Sequence, residues 1–420
     1  MLTKAENERL TSTGRGALIG DLLRRYWHPI AGVSELDDEP VLPIRLLGED
    51  LVLYRDRGGE MGLLGAACPH RKVSLAYGIP EQHGLRCCYH GWLFDCEGRC
   101  LEQPAEPPES SFKEKIEHLA YPVQTLGGLV WAYLGPTPAP LIPRYDVFVW
   151  DDAWRDVAVI DLPCNWLQCM ENSLDLTHVD WLHGHYYTYV LDHKGLPPVP
   201  QHERRSGGKR IVRMGFDLTD HGMVSRRMVE GDTEDAAEWR KGSNPLLFPC
   251  MVRAGGRGSM QMRIPIDDTH TRLFFYSCYR PDDGQPVPPQ GRVPVYSAPL
   301  FEPNGRYRTD WINGQDNMSW AMQGAVMDRE TERLGSSDKG IVVYRRLLLE
   351  QAEKAGRGED PVGIIRDPAS NVCIELKDNE SGPPRSMGFM DNHWHQFSPI
   401  FEEAKALMLR SRSAPELARR

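Results

Sequence analysis

Two short Cys/His pairs constrain this chain more than any other feature of its sequence. One residue separates Cys68 from His70, two separate Cys87 from His90, and sixteen lie between the pairs. Each pair fits a tight loop, so two loops would bring two thiolates and two imidazoles together. Such a set can hold a two-iron, two-sulfur cluster, with the thiolates on one iron and the neutral imidazoles on the other, which raises its reduction potential.

A structural zinc site is the competing interpretation of these four residues, because two cysteines and two histidines also satisfy tetrahedral zinc. The single residue between Cys68 and His70 is shorter than the gap of about two to four residues in the usual zinc knuckle. Gly-Trp-Leu-Phe-Asp follows the second pair. The spacing therefore favours the cluster. Three nearby cysteines lie off this spacing and are interpreted as reduced thiols: Cys88, Cys96 and Cys100.

A second group of metal-binding residue types follows in the middle of the chain. Asn172, Asp175, His178 and His183 form the pattern N-x2-D-x2-H-x4-H. Asp175 and His178 share a helix face, whereas the two histidines are about 140° apart around a regular helix. Both histidines can bind one metal only if the helix ends or distorts, and Gly184 follows directly. A surface helix with hydrogen-bonded histidines is the alternative.

Together the two patterns resemble those of the large subunits of Rieske non-haem iron oxygenases, in the branch that includes phthalate dioxygenase. The resemblance implies a Rieske [2Fe-2S] cluster and a mononuclear Fe(II) held by two histidines and a carboxylate. The implied cluster ligands are Cys68, His70, Cys87 and His90. The implied iron ligands are His178, His183 and an aspartate further along the chain.

In this family the third iron ligand is an aspartate that follows an acidic or amide residue just ahead of a helix. Gln315-Asp316 matches that context, so Asp316 is the predicted ligand. The segment from Met327 to Asp338 resembles the D-R-x2-E-x-L-G-x-S-D stretch of phthalate-dioxygenase-like chains. Residues 321–324, Ala-Met-Gln-Gly, depart from the Glu-Ser-Met-Gly common in relatives. Three carboxylates compete with this choice, and each could be a solvated helix charge: Asp310, Asp328 and Glu332.

The resemblance also implies roles beyond metal binding. The Asp175 carboxylate would hydrogen-bond His178 in its own chain and the cluster ligand His90 of a neighbouring chain, which would connect the two metal centres between subunits. Asn172, in the same motif, is predicted as a second catalytic residue. Subunits in a closed head-to-tail ring would form a homotrimer or a dimer of trimers.

Strand and helix signals predict an α+β fold with two domains. Residues 1–143 would form a small antiparallel β Rieske domain with an N-terminal extension, ending in the proline-rich run 135–143. Residues 144–420 would form the catalytic domain. By resemblance this domain is a curved antiparallel sheet with helices, a helix-grip-like fold that carries the mononuclear iron. The predicted strands are 41–47, 51–54, 61–64, 129–134 and 271–279, and helices are expected around 165–183 and 316–355.

Composition limits the partners of the chain. Acidic residues outnumber basic ones by 59 to 49, and this net charge of −10 disfavours nucleic acid as a partner. No apolar run is long enough to cross a bilayer, and the first residues lack the apolar core of a signal peptide, so a cytoplasmic location is expected. Because no Rossmann fingerprint or P-loop is found, electrons from NAD(P)H would arrive through a separate flavin or iron-sulfur reductase, with or without a ferredoxin.

The predicted function is that of a terminal oxygenase, which uses O2 and reductase-supplied electrons to hydroxylate an aromatic carboxylic acid of the benzoate or phthalate type. The alternative is an O-demethylating or ether-cleaving Rieske monooxygenase acting on a methoxy- or phenoxy-aromatic acid. A pure electron carrier and a zinc-binding protein explain fewer of the motifs. In an acidic chain, local arginines would have to hold the acid. The candidates are Arg204, Arg205, Arg210, Arg213, Arg226, Arg227, Arg253 and Arg257.

Overall fold

The structure is a computed structural model that describes residues 2–198, 209–253, 258–281, 285–376 and 390–410. Within these ranges small antiparallel sheets precede one large sheet with helices packed around it. The α+β fold class predicted from the sequence is confirmed. The domain boundary at residue 143 stays a prediction.

Three small antiparallel sheets occupy the described part of the first 133 residues, with strand orders β1-β11-β10, β2-β3-β4-β9 and β5-β6-β7-β8. The strands are β1 (Trp27–Gly32), β2 (Val41–Leu46), β3 (Glu49–Arg55), β4 (Met61–Gly65), β5 (Ile79–Pro80), β6 (Leu85–Arg86), β7 (Leu93–Phe94), β8 (Cys100–Glu102), β9 (Ala120–Tyr121), β10 (Val123–Leu126) and β11 (Leu129–Tyr133). The two loops with the Cys/His pairs follow β4 and β6. The strands predicted at 41–47, 51–54, 61–64 and 129–134 correspond to β2, β3, β4 and β11.

The large sheet has the strand order β13-β14-β15-β16-β17-β18-β12-β19. Its pairs are antiparallel except for β12 with β19, which is parallel. The strands are β12 (Trp154–Leu162), β13 (Ile211–Thr219), β14 (Gly222–Val229), β15 (Ser243–Leu247), β16 (Met251–Val252), β17 (Ser259–Asp267), β18 (His270–Tyr279) and β19 (Val295–Ser297). β17 and β18 are buried along most of their length, as expected for central strands covered on both faces.

The described helices are α1 (Lys4–Thr11), α2 (Leu18–Leu23), α3 (Glu35–Asp38), α4 (Asp146–Val149), α5 (Trp166–Asn172), α6 (His178–Asp180), α7 (Tyr187–Lys194), α8 (Ala237–Lys241), α9 (Ile312–Ala321), α10 (Lys339–Gly356) and α11 (Phe401–Leu409), with a π-helix at Trp181–Tyr186. The helical region predicted at 316–355 is two helices, α9 and α10. Gly324, with φ of 94°, lies just after α9, and the following segment contributes two side chains, those of Arg329 and Glu332, to the interior.

Apolar packing joins the two halves of the chain. One core contains side chains from α1 and α2, from the β1-β11-β10 sheet and from α5, α10 and the large sheet. A separate core surrounds the two Cys/His loops, and a third lies where α9 and residues 394–397 meet β12 and β18. The two Cys/His loops and α9 are therefore held in place by separate apolar cores.

A buried carboxylate on β12 predicts a pH-dependent stability. Asp156 is fully buried. Its Oδ2 accepts hydrogen bonds from Tyr279 at 2.7 Å and Ser398 at 2.5 Å, while Oδ1 has no partner among the described residues. Burial outweighs these bonds and raises the pKa of Asp156 to about 6. Because the folded state holds this proton more tightly than the unfolded state, stability is lost as pH rises from about 4 to about 6.

Asp156→Asn is expected to remove that loss, because an amide keeps an acceptor for Tyr279 and Ser398 and does not ionise. At neutral pH the variant should be more stable than wild type by up to roughly 3 kcal/mol, with a flatter stability profile between about pH 4 and 6. Urea unfolding across pH measures both. Asp161→Asn, at an exposed site on the same strand, should keep the wild-type slope. An unchanged slope in Asp156→Asn would rule this account out.

Candidate metal centres

The two Cys/His loops share one backbone pattern. In each loop the cysteine N–H donates to the carbonyl five residues on, and the N–H four residues on donates back to the cysteine carbonyl. These distances are 2.9 and 2.8 Å for Cys68 and 2.8 and 3.0 Å for Cys87. The fourth position, Lys72 in one loop and Gly91 in the other, has φ of 62° and 74°. Left-handed backbone is uncommon outside glycine, so Lys72 indicates that the site requires this loop shape.

The loops place their thiols inside and their imidazoles outside. Cys68 and Cys87 are buried, while His70 is exposed and His90 half-buried. The two imidazole rings lie 4.5 Å apart, and His70 stacks on Trp92 at 4.6 Å. Burial, together with the neighbouring Cys87, raises the pKa of Cys68 to about 11, so this thiolate needs a metal's charge to form at neutral pH. The arrangement fits a cluster with thiolates on one iron and imidazoles on the other.

The second group begins where α5 ends. Asp175 Oδ1 accepts hydrogen bonds from the Thr177 N–H at 2.8 Å and its hydroxyl at 2.6 Å, and from the His178 N–H at 3.3 Å. The aspartate therefore starts a new helix, α6, after an irregular stretch. His183 lies in the π-helix that follows, whose i→i+5 hydrogen bonding brings residues five apart towards the same face. The distortion that the spacing requires is present in the helix.

The three predicted iron ligands lie close together, although they come from α6, the π-helix and α9. Asp316 Oδ1 lies 3.7 Å from His178 Nε2 and 3.1 Å from His183 Nε2. The ligand atoms of the three residues lie within 4.8 Å of one another. Metal bonds of about 2.0–2.2 Å to nitrogen and oxygen fit inside such a group. The three side chains can therefore bind one metal ion together.

Hydrogen bonds on the far side of each imidazole fix its protonation. His183 Nδ1 lies 2.8 Å from Gln315 Oε1, and the Gln315 amide nitrogen donates to a backbone carbonyl at 3.0 Å, which turns the amide oxygen towards the ring. His178 Nδ1 lies 2.5 Å from the backbone carbonyl of Asp175. Both Nδ1 atoms therefore carry hydrogen, and both Nε2 atoms present lone pairs to the carboxylate of α9. The Asp175 carboxylate itself is 3.8 Å from His178 Nδ1, so the predicted side-chain bond is made by the backbone instead.

Asp316 has the properties of a metal ligand. Its side chain is buried, and Oδ1 has no hydrogen-bond partner among the described residues. Burial opposes its ionisation, but His183 and His178 in their protonated forms, together with the Arg263 guanidinium, hold the pKa of Asp316 below its usual value. Burial also lowers the pKa of His178 and favours the neutral ring. One carboxylate and two neutral imidazoles are the donor set of non-haem Fe(II) sites with open positions.

The three competing carboxylates are engaged elsewhere. Asp310 accepts from Arg308 at 2.9 Å and from Lys194 at 3.2 Å. Asp328 accepts from the backbone and a hydroxyl of the turn that follows it. Glu332, which the sequence presents as a possible solvated charge, is instead buried against an arginine. This leaves the α9 aspartate as the carboxylate that faces the histidines.

The structure places Asn172 at the end of α5, half-buried. Its carbonyl accepts from the Asp175 N–H at 3.1 Å, which helps to shape the irregular stretch before α6. The Asn172 side chain makes no hydrogen bond with any of the three metal-facing residues. A direct catalytic role for Asn172 stays a prediction.

The arginines predicted to hold an acid fall into three groups. Arg204, Arg205 and Arg257 lie outside the described residues, and Arg210 is exposed. The other four form ion pairs within the chain: Arg213 with Glu234, Arg226 with Asp217, Arg227 with Glu238 and Arg253 with Asp146.

Sequence reasoning missed two residues beside the iron site. Gln315 was used only as context for the aspartate, whereas it orients His183. Arg263, on the central strand β17, is buried, and its positive charge lowers the pKa of Asp316. The sequence did contain a signal for Arg263, because this residue lies between Met262 and Ile264 in a largely apolar strand. A charged residue buried in such a strand usually has a specific partner or function.

Comparisons with known proteins identify the family of this chain. The Rieske [2Fe-2S] domain model matches residues 26–124, and the model described as LigXa C-terminal domain like matches residues 307–375. The oxygenase subunit of 5,5'-dehydrodivanillate O-demethylase from Sphingobium sp. is 41% identical over 90% of this chain and 86% of its own length. The chain belongs to the Rieske oxygenase large subunits. The oxygenase subunit of phthalate 4,5-dioxygenase from Pseudomonas putida is 31% identical to this Rieske oxygenase over 86% of the chain and 89% of that relative.

Solved structures agree on the fold. NdmA of Pseudomonas putida CBB5 with caffeine superimposes on the Rieske oxygenase with a TM-score of 0.59 at 19% identity, covering 88% of this chain and 99% of NdmA. Such a likeness supports the architecture alone.

Membership of this family confirms the predicted cofactors. The Rieske oxygenase carries a Rieske [2Fe-2S] cluster and a mononuclear iron, and it receives electrons from NAD(P)H through a separate redox protein. When bound, the mononuclear iron activates dioxygen at positions that three protein ligands leave open. No helix among the described residues combines the length and apolarity needed to cross a membrane.

Proposed function

We propose that this Rieske oxygenase removes a methyl group from a methoxylated aromatic acid. The observation that carries the proposal is its 41% identity over 90% of the chain to the oxygenase subunit of an O-demethylase, against 31% to that of a ring dioxygenase. In the balanced reaction, a methyl ether, O2, two electrons and two protons give a phenol, formaldehyde and water. This proposal places first the function that the sequence analysis gives as the alternative.

Ring hydroxylation of a benzoate- or phthalate-type acid is the second candidate. The phthalate 4,5-dioxygenase relative supports it, because it matches 86% of the chain. Both reactions need the same two metal centres, so the shape and polarity of the substrate site must decide between them.

In this proposal the cluster is held by Cys68, His70, Cys87 and His90, and the mononuclear iron by His178, His183 and Asp316. The buried thiols, the two paired imidazoles and the unpartnered Asp316 oxygen support these assignments. The electron donor is a flavin or iron-sulfur reductase, with or without a ferredoxin. A cytoplasmic location stays a prediction.

The direct test uses the purified holoenzyme, a surrogate reductase and a panel of methoxybenzoates, 5,5'-dehydrodivanillate, phthalate and 3-chlorobenzoate. Demethylation predicts one formaldehyde for each phenol formed from a methoxylated acid, and no ring diol. A ring diol from phthalate or chlorobenzoate without formaldehyde would move the second candidate into first place. No turnover of any acid in the panel would reject both.

The assembly we propose is a homotrimer or a dimer of trimers, in which the cluster of one subunit meets the iron of the next. Exposed aromatic side chains at both centres support such contacts. Tyr77 and Tyr89 lie on the cluster loops with 77% and 54% of their surface exposed, and Trp181, between the two iron-site histidines, is 71% exposed. Large exposed aromatics are typical of protein interfaces.

Asp175 is the proposed bridge between the two centres. Its Oδ1 holds the start of α6, whereas Oδ2 has no hydrogen bond within the described chain. In the proposed assembly, this Oδ2 accepts a hydrogen bond from a ring N–H of His90 of a neighbouring subunit.

Asp175→Asn is expected to keep both metals, because the amide oxygen can still cap α6. The amide nitrogen is a donor and cannot accept from a neighbouring imidazole, so product formation should fall by about 10- to 100-fold. Iron and sulfide analysis together with turnover measures both effects. Asp180→Asn, one turn further on, is the matched control and should match wild type. Normal turnover of Asp175→Asn with both metals loaded would refute the bridge.

A further inference from the structure

One buried side chain of α5 binds the end of α9. Gln168 lies within α5 and has 1% of its surface exposed. Its amide nitrogen donates to the carbonyls of Trp320 and Gly324, both at 2.8 Å, and its amide oxygen accepts from the Met327 N–H at 3.0 Å. Because two of these partners are acceptors and one is a donor, they fix which end of the amide is nitrogen. Both amide hydrogens and the oxygen are therefore in use.

These bonds satisfy backbone groups at and beyond a helix end. The last four carbonyls of an α-helix have no partner within it, and α9 ends one residue after Trp320. The Gln323 N–H also reaches the Trp320 carbonyl, but at a longer 3.3 Å. Without Gln168 the Gly324 carbonyl and the Met327 N–H would lose the hydrogen bonds given above. The side chain therefore holds the last turn of α9 and the segment after it against α5.

The two helices that Gln168 joins carry the two sides of the iron site. Asp316 lies about one turn before Trp320, on the same face of α9. His178 and His183 follow α5 in the chain, after the irregular stretch that ends with the Asp175 cap. Asp316 Oδ1 lies 3.7 Å from His178 Nε2 and 3.1 Å from His183 Nε2. Both distances depend on how α9 is placed relative to α5.

The first turn of α9 is held by a different contact. The Ile312 N–H donates to the Asn392 carbonyl at 2.9 Å. The Asn392 side-chain oxygen in turn accepts from Tyr187, in the helix that follows the π-helix, at 2.7 Å. This end of α9 is thereby tied to the helix after the histidines. Gln168 supplies the contact at the other end, so Asp316 lies between two anchored turns.

We propose that Gln168 is a positioning residue of the iron site, which holds α9 so that Asp316 faces both histidines. This inference rests on the iron ligands proposed above. The hydrogen bonds of Gln168 go to backbone groups of α9 and of the segment after it, so its influence on the site passes through that helix. Metal sites tolerate errors of only about 0.2 Å in their bond lengths. Even a small displacement of α9 should therefore weaken iron binding.

Capping of α9 without any effect on the metal is the competing role. A buried amide with three hydrogen bonds stabilises the folded state whether or not a metal site lies nearby. Both roles predict a lower melting temperature when Gln168 is replaced. A loss of iron affinity beyond that of an equally buried amide elsewhere is expected from the positioning role alone.

The test measures the iron affinity of the holoenzymes in Fe(II) solutions buffered by a chelator. Mononuclear iron is counted per chain, and acid-labile sulfide reports the cluster. Gln168→Met keeps the length of the side chain and removes its hydrogen bonds, so we expect iron binding about tenfold weaker or more, with the cluster retained. Gln168→Glu keeps an acceptor for Met327, but its carboxylate has no hydrogen for the two carbonyls. It should weaken iron binding as well, and it replaces the first variant if methionine prevents folding.

The matched control is Asn371→Leu. Asn371 is also buried, and its amide accepts from the Arg144 N–H and donates to the Ile142 carbonyl, both at 2.9 Å. This variant should lower the melting temperature and bind iron as wild type does. Wild-type iron affinity in the Gln168 variants, or an equal loss in Asn371→Leu, would overturn the positioning role while the proposed iron site stands. Retention of the third iron in Asp316→Ala would reject the iron site, and the positioning role with it.

Discussion

Asp316→Ala is expected to abolish product formation and to remove the mononuclear iron while the Rieske cluster stays in place. The variant deletes the carboxylate that faces both His178 Nε2 and His183 Nε2. Loss of a residue that only orients a metal ligand already costs about 10- to 100-fold in metal affinity or activity, so loss of the ligand itself should cost more. Iron should fall from three to two per chain in metal analysis, with acid-labile sulfide unchanged.

Asp310→Ala is the control for this result. Asp310 lies six residues earlier in the same region, but its carboxylate is bound by Arg308 and Lys194. Its removal should leave three irons and near-normal turnover. Retention of the third iron in Asp316→Ala, with its loss in Asp310→Ala, would show that the ligand has been assigned to the wrong aspartate.

Removal of Glu171 is expected to cause the largest loss of stability. Glu171 sits in the last turn of α5, where Arg329 donates to its two oxygens at 3.2 and 2.8 Å and Arg345 donates at 2.6 Å. Arg345 binds Glu332 with its other nitrogens. All four side chains are at least nine-tenths buried. The network thus joins α5 to α10 and to the segment that carries the D-R-x2-E motif.

In Glu171→Ala the buried Arg329 would lose its carboxylate partner, and Arg345 would keep only Glu332. Breaking a buried ion pair by removing one partner costs about 3–5 kcal/mol, because an uncompensated charge stays in the interior. Urea unfolding measures the loss. Glu350→Ala removes a carboxylate from an exposed pair on α10, with 71% and 56% of the two side chains exposed, and should change stability by no more than about 0.5 kcal/mol. Equal effects of the two substitutions would contradict the buried network.

The cluster loops could be predicted from the sequence because their geometry is local. A cysteine and a histidine separated by one or two residues can bind one site together only from a tight loop. The apolar core around both loops then brings the two pairs together. The distortion between His178 and His183 could also be predicted, since five residues do not fit one face of a regular helix. Its form, an irregular stretch followed by a π-helix, depends on the Asp175 cap and on packing against α9, which a motif does not encode.

The choice among the four candidate carboxylates shows where sequence reasoning ends. Asp310, Asp328 and Glu332 become unsuitable only because arginines, a lysine or a nearby turn bind them, and these partners come from tertiary contacts. The roles of Gln315 and Arg263 were missed for the same reason. Whether a polar residue is buried and unpaired depends on which strand is central and which helix face meets it. Residues 312–321 contain the hint, because Asn-Gly-Gln-Asp-Asn is an unusually polar run for a helix that turns out to be buried.

Mass spectrometry of the products formed under labelled dioxygen tests the proposed function most directly. A methoxylated aromatic acid, a surrogate reductase and the holoenzyme are sufficient for the assay. Demethylation predicts a phenol lighter than the substrate by one CH2 group, without label on the ring oxygen, and an equal amount of formaldehyde. A ring product that carries two labelled oxygens and an intact methoxy group would contradict it.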